Sequence, residues 1–423
     1  MTEAAATEAT TATVERRSRR WSGPALALGQ LALMATSLLF TLTLAYAGGL
    51  SAVGATAPAV LVFQLTCGVS QRTLAEAALL ARARPGVPAD VDDCRRAVTA
   101  ALLSGACGMV VAVGAALAVP DAPPWLGFAY ACGIPFAIAL DIGRSAGVAA
   151  GAARASLVET ALWLATQAGG MLLFAALRLP LAICLSWTLV NVGFALAAAV
   201  RPERRPGWHG LIGWLRAARG LLGPATLDAL LAGLTPLIAL QLTAFVATSA
   251  TLGAVRILQQ LFAPLALVSI TLRRVLVYRR SAADTSPGQA LRDGLTAMGL
   301  MAAGALVLGL ALLAGQRLVP AASFIPVGLA LVAAGVEKAA LGLSFGTSLG
   351  SFVRGDFGAL LPARYVMLAV TALAAPLLTV AWGATGYLLG STAGMVLYSL
   401  LLLARSRARA PEATTPDQPT AAV

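Results

Sequence analysis

Twelve apolar runs, each long enough to cross a bilayer, follow one another so closely along the 423 residues that almost nothing is left for a separate soluble domain. They lie at about 25–47, 52–79, 97–119, 126–149, 157–177, 180–200, 225–247, 250–277, 294–315, 324–348, 363–382 and 384–404. A spanning helix needs about 20 apolar residues, and with its loop takes about 30 to 35, so a dozen spans consume a chain of this length. Only 11% of residues are charged and 59% are hydrophobic, whereas a soluble domain carries about a quarter charged residues. The sequence therefore predicts an all-α polytopic membrane protein. The polar segments 1–24 and 405–423 are expected to be disordered. "RRSRRW" before a run ending in "AYA" imitates a signal peptide, but the run from Ala25 to Ala47 is long and leads directly into further spans. It is expected to be an uncleaved first helix.

The basic residues test this count, because short cytoplasmic loops collect Lys and Arg. With twelve spans, one side receives "RRSRR", Arg82, Arg84, Arg95, Arg96, Arg154, "RPERRPGW", "RRVLVYRR", Arg354, Arg364 and "RSRAR", and the other receives only Arg178 and Arg317. Miscounting by one helix would destroy that alternation, so both termini are expected in the cytoplasm of a multi-pass plasma-membrane protein. The formal charge of +12 is thus a topology signal, and its scatter in small clusters gives no stripe for nucleic acid. Cys67, Cys94, Cys107, Cys132 and Cys184 form no CxxC pair, so neither a disulfide framework nor a metal site is expected. No phosphate-binding GxxxxGK[ST] is present, and no cofactor is indicated.

The spans group into two sets of six, 25–200 and 225–404, joined by a segment at 201–224. Within that segment Trp208, Leu211, Ile212 and Leu215 recur at helical spacing, which predicts an amphipathic helix on the cytoplasmic interface. The halves echo each other. An offset of 199 pairs Gly54 with Gly253, Ala55 with Ala254, Phe63 with Phe262, Val69 with Val268 and Ser70 with Ser269. A parallel duplication of this kind implies a pseudo-twofold axis along the membrane normal and a central cleft between the halves.

The small-residue motifs "LSAVGA" and "ATLGAV", each opening a long helix that runs to "GVSQRTLAEAALLARA" or "SITLRRVL", resemble the multidrug/oligosaccharidyl-lipid/polysaccharide flippase superfamily. Within it the chain is most similar to polysaccharide-biosynthesis flippases. The likeness covers the whole chain in topology, with its motifs in the first, second, seventh and eighth helices. It implies alternating access through a central cavity that carries an amphiphile from the cytoplasmic to the outer leaflet.

A charge inside a span is costly unless it faces protein or water, so the intramembrane polar residues are the candidate site. Arg256 lies about one to two turns from the outer end of its helix, with Gln259 and Gln260 on the next turn. Peptidoglycan-precursor flippases of the superfamily have a cavity-facing arginine in the corresponding helix, one position further from the matching glycine. The resemblance implies that Arg256 meets a pyrophosphate or other anionic headgroup, while snorkelling to the outer interface is the alternative. Arg72 and Arg144 lie where they would receive a headgroup at the inner leaflet, yet Glu76 and Asp141 on their own helices offer each a local partner. Gln30 and Gln64, with Gln167, Asn191 and Gln241, are candidates for sugar hydroxyls or for interhelical hydrogen bonds. For ion coupling, Glu337 and Asp228 are the candidate carboxylates, ahead of Glu159. Lys338, adjacent to Glu337, is expected on another face. The first helix has no charged residue, unlike drug exporters of the superfamily that carry an acid there.

Four functions stay open. The leading one is a flippase for a polyprenyl-linked saccharide or related glycolipid, with glycan-assembly enzymes as its implied protein partners. The others are a small-molecule exporter, a non-transporting membrane scaffold, and, less favoured, a membrane glycosyltransferase, polymerase or ligase. An enzyme of that last kind needs an acid, a base or a metal near a substantial outer loop. Here the outer loops, such as "PDAPPW", are short, and no enzymatic activity is expected.

Overall fold

A computed structural model describes the backbone of residues 2–71, 73–75, 90–119, 121–265, 287–318, 325–326, 328–353 and 356–408. Among them every regular element is a helix: α1 (Thr2–Ser70), α2 (Val91–Leu117), α3 (Pro124–Ala131), α4 (Ile134–Ala149), α5 (Ala153–Ala176), α6 (Pro180–Ala198), α7 (Leu211–Ala244), α8 (Ser249–Leu261), α9 (Pro287–Leu318), α10 (Leu329–Val353) and α11 (Phe357–Ala408), with a 3-10 turn at Pro202–Arg204. α1 begins at Thr2 and so runs through the segment expected to be disordered. The end of the chain after Ala408 lies outside the described residues.

Nine helices among the described residues are long and apolar enough to cross a membrane. Two of them are too long to do so once. α11 has 52 residues, about 78 Å of helix against a hydrocarbon core of about 30 Å. It breaks at Gly383, φ 55°, a left-handed conformation that glycine tolerates. α1 breaks in the same way at Gly49, φ 74°. Each is a hairpin of two spans. The arms of α1 are tied by Gln64 Nε2 donating to Ser37 Oγ at 3.4 Å. Those of α11 pack through Gly386, Gly390 and Gly394, where an added Cβ would overlap Leu378, Ala375 and Thr371 of the opposing arm. α3 and α4 together make one span, Pro124–Ala149, and α8 enters the eighth, whose continuation lies outside the described residues. The described residues thus hold eleven of the twelve crossings that the hydropathy pattern predicts, and the start of the eighth.

Following the chain from crossing to crossing puts Arg95, Arg96, Arg154, Arg201, Arg204, Arg364 and Arg405 at one end of the bundle, hereafter the basic end. At the opposite end Arg178 lies over the Tyr46 ring, 3.8 Å from its centroid, and donates to the Tyr46 carbonyl. The connection between the halves is held at the basic end: Arg95 donates to the Pro202 carbonyl (2.8 Å), Arg96 to the His209 carbonyl (3.0 Å), and the Gly207 amide to Thr99 Oγ1 (2.7 Å). α7 breaks at Gly223, separating a short helix from the seventh span as the amphipathic pattern requires. Its buried side differs from the expected stripe, however. Leu211 and Trp214 are buried and Leu215 packs beside them, whereas Trp208 and Ile212 are exposed.

The offset of 199 reappears as a contact. α1 packs against α8, and the two cross where a Cβ on Gly54 would lie 2.6 Å from the Ser249 carbonyl carbon and one on Gly253 would lie 2.8 Å from that of Leu50. Leu50 and Ser249 are themselves 199 apart, so each glycine meets the other copy's equivalent residue. The pseudo-twofold axis passes through this crossing, at the end opposite the arginines. One continuous apolar core links the halves, with Leu44, Val53 and Ile138 from one and Leu258, Leu331 and Leu388 from the other.

Candidate functional site

The crossing brings α8 to the boundary of the halves, and Arg256, one turn beyond Gly253, is carried inward with it. It is 3% exposed, so its guanidinium does not snorkel to the interface. Nε and Nη2 have no hydrogen-bond partner, and among the described residues no carboxylate pairs with it. Its electrostatic neighbours are two phenols, Tyr130 from the first half and Tyr387 from the second. Tyr130 stacks on Trp187 at 4.0 Å between centroids and touches Phe40 at 4.9 Å, while Phe63 meets Trp187 edge-on at 5.4 Å. An aromatic wall thus flanks the arginine on one side. The Tyr387 hydroxyl donates to the Pro236 carbonyl at 3.2 Å.

One turn along α8, Gln259 Nε2 donates to Glu337 Oε1 at 3.4 Å. Ser391 Oγ donates to the same oxygen at 2.9 Å, and Lys338 Nζ lies 3.0 Å from Oε2. The expectation that Lys338 turns away is overturned. Although adjacent residues point apart on a helix, the four-carbon lysine stem is long enough to fold back, and a carboxylate only 2% exposed gives it reason to do so. Gln260 is also buried. Arg256, Gln259, Glu337, Tyr130, Tyr387 and Ser391 all lie within about three turns of the opposite end of their spans. They form one polar layer shared by both halves, buried except for the half-buried Gln259.

The remaining candidates lie elsewhere. Asp228, at the basic end, accepts from Arg364 Nε at 2.7 Å, and that guanidinium covers the Tyr398 ring at 4.3 Å. Arg144 finds its ion-pair partner on another helix, Glu159 at 3.7 Å, and stacks over Trp163 at 4.5 Å. The local partner expected for it, Asp141, instead takes hydrogen bonds from Gln71 and Cys67. Gln64 is exposed and Gln30 partly buried, and Arg72 lies outside the described residues. Gln167 donates to the Trp187 carbonyl, Asn191 accepts from Trp163 Nε1, and Gln241 donates to the Ala115 carbonyl across the halves. All three make interhelical bonds. The five cysteines are free, and the described residues hold no cluster suited to a metal.

Sequence reasoning missed Tyr130, Tyr387 and Ser391, whose only signal was a hydroxyl in an otherwise apolar run. It also ranked Glu159 low, although that carboxylate is surrounded by Arg144, Arg201 and Arg204.

No protein-family model and no curated protein sequence matches the chain. Solved structures do. The inward-closed conformation of the lipid II flippase MurJ is similar with a TM-score of 0.66 at 10% identity, over 90% of this chain and 87% of that one. An inward-facing multidrug resistance MATE family transporter of the MOP superfamily is similar at 0.60 and 12% identity, over 91% and 94%. A third, the Vibrio cholerae MATE transporter VcmN, is similar at 0.50 and 16%, over 95% and 98%. The chain therefore shares its fold with the MurJ flippase and the MATE transporters.

Proposed function

We propose that the protein is a plasma-membrane transporter with cytoplasmic termini that flips a lipid-linked saccharide or related glycolipid by alternating access. The observation that carries this reading is Arg256. A fully buried cation with two unpartnered nitrogens, between two halves related by a pseudo-twofold axis, is costly unless an anion visits it. Arginine presents a planar fork suited to phosphate oxygens, and the phenol of Tyr130 supplies a further donor at the same depth, that of Tyr387 being given to the Pro236 carbonyl. The crossing at Gly54 and Gly253 closes the far end of the cleft, the arrangement expected while substrate enters from the basic side. Glu337 is the proposed coupling site, since a proton or sodium ion arriving there would compete with the Lys338 pair and the Gln259 bond. Asp228, held by Arg364, remains the second candidate for coupling.

The test is leaflet translocation of a fluorescent polyprenyl-diphospho-sugar in proteoliposomes. Arg256→Ala is expected to slow translocation at least tenfold, with partial activity in Arg256→Lys. Equal rates in wild type and Arg256→Ala would defeat the proposal. Glu337→Gln should abolish acceleration by an imposed ion gradient while leaving headgroup binding intact, and a gradient response equal to wild type would remove Glu337 from coupling. A small-molecule exporter on the same fold is the second reading, favoured by the compact buried layer around Glu337. It would appear as export of organic cations by a protein that moves no lipid-linked sugar.

A further inference from the structure

Away from the boundary of the halves, the basic ends of α5 and α6 flank a cleft of about 660 Å³, lined by Arg154, Val158, Glu159, Leu162, Phe194 and Arg201 among others. Charge gathers around Glu159 on its wall, with Arg201 in the lining and Arg144 and Arg204 behind it. Three guanidinium groups share the single Glu159 carboxylate: Arg204, which is 1% exposed at its side chain, Arg144 at 3.7 Å and Arg201 at 3.7 Å. Arg154 adds a fourth positive charge at the rim.

That carboxylate cannot satisfy them. Arg144 Nε and Nη2, Arg201 Nη1 and Arg204 Nε are all buried without a hydrogen-bond acceptor, although each guanidinium carries five N–H groups. Burial lowers the Arg204 pKa from its ordinary range, and the nearby Glu159 opposes that shift. Glu159 Oε1 is likewise without a hydrogen bond, so the imbalance is one of charge, with three guanidinium groups to one carboxylate.

From this charged end the cleft continues as an apolar groove. Val158 and Leu162, one turn apart on α5, are 55% and 59% exposed, and Phe194, Ala197 and Ala198 line the groove from α6. The eight residues from Phe194 to Arg201, which run off the end of α6, rise about 10 Å at helical pitch, so the groove runs from headgroup depth into the hydrocarbon. A ligand that fits both parts is an amphiphile with an anionic head and an alkyl tail.

We propose that this cleft is a binding site for an anionic phospholipid of the leaflet at the basic end. Its phosphate lies on Arg201 and Arg154, and one acyl chain lies along Val158, Leu162 and Phe194. The site faces the surrounding bilayer and is independent of any transported substrate. A lipid bound there fastens the connection between the halves, because Arg201 and Arg204 belong to that connection.

The experiment is native mass spectrometry of the full-length protein released from detergent, titrated with phosphatidylglycerol or phosphatidylethanolamine, with thermal melting in parallel. One saturable phosphatidylglycerol adduct and a raised melting temperature are expected, with neither from phosphatidylethanolamine. Arg154→Ala/Arg201→Ala should weaken the adduct about tenfold or more. Leu162→Trp, which keeps every charge but fills the groove, should weaken it too, whereas Arg407→Ala at the same end of the bundle should not. Indifference to headgroup charge, or retention of the adduct in both the arginine and the Leu162→Trp variants, would overturn the proposal. So would stabilisation by inorganic phosphate alone equal to that by the lipid, since it would place a free anion rather than a lipid in the cleft.

Discussion

Replacing Gly253 by leucine is expected to prevent the two halves from closing at the end opposite the arginines. Even a methyl group there would lie 2.8 Å from the Leu50 carbonyl carbon, and the same holds at Gly54 against Ser249 at 2.6 Å. The obstructing atoms are helical backbone, which cannot rotate aside as a side chain would. α1 and α8 must therefore separate by an ångström or more, undoing a contact that leucine-rich surfaces cannot replace, since membrane helices gain their association from close packing rather than from the hydrophobic effect. The expected cost is about 3 kcal/mol or more, the upper range for overpacking a tight interior. Two readouts separate opening from unfolding. In a background freed of the five native cysteines, Ala52→Cys next to the crossing is buried and should react slowly with a membrane-impermeant maleimide. Adding Gly253→Leu should raise its rate at least tenfold while the protein still elutes as a folded particle, or should lower the melting point sharply. An unchanged rate together with an unchanged melting point would mean that the crossing is not the closed gate described above. Gly54→Leu should behave in the same way, because pseudo-symmetry makes the two sites equivalent.

That equivalence was visible in the sequence, and it shows which kind of information a membrane sequence holds. Span number follows from length and hydropathy, because the bilayer imposes one thickness on every crossing. It survived even where two crossings run together through a break at Gly49 or Gly383. The duplication was readable because a glycine at a backbone contact has no substitute, so both copies keep one. Partners of buried charges were far less legible. Asp141 is one turn from Arg144, and helical spacing alone favours that pair. The observed partner, Glu159, depends on how α4 meets α5, which no local rule supplies. Lys338 was misplaced for a different reason, since backbone direction does not limit a side chain with four flexible bonds. The phenols beside Arg256 stayed hidden because a tyrosine in an apolar run reads as packing until a charge is found next to it.

Removing the Glu159 carboxylate is expected to destabilise the protein more than removing any one arginine around it. Glu159 is 11% exposed at its side chain and is the ion-pair partner of Arg144, Arg201 and Arg204. Loss of one member of a buried pair costs about 3 to 5 kcal/mol, mostly because the other charge is left unpaired. Here Glu159→Ala strands Arg204 and Arg144, both of which are buried. Arg204→Leu leaves Glu159 with two further cations and should cost less. The double change Glu159→Leu/Arg204→Leu should then be milder than the sum of its parts, a coupling measurable by a double-mutant cycle on denaturation in mixed micelles. Strict additivity would show that the carboxylate and the arginine do not depend on each other. The mechanical consequence follows from position. Arg204 lies in the connection between the halves, and its guanidinium reaches Ser156 at 2.7 Å and the surface of α4 at Gly147, where an added Cβ would lie 2.5 Å from Nη2. With Glu159 gone, the anchor on α5 is reduced to the Ser156 bond, beside the bonds to α2 through Arg95, Arg96 and Thr99. Protease cleavage between Arg201 and Gly210 should therefore accelerate in Glu159→Ala before global unfolding begins, whereas Arg364→Ala, which disturbs the Asp228 pair in the second half, should leave that cleavage unchanged.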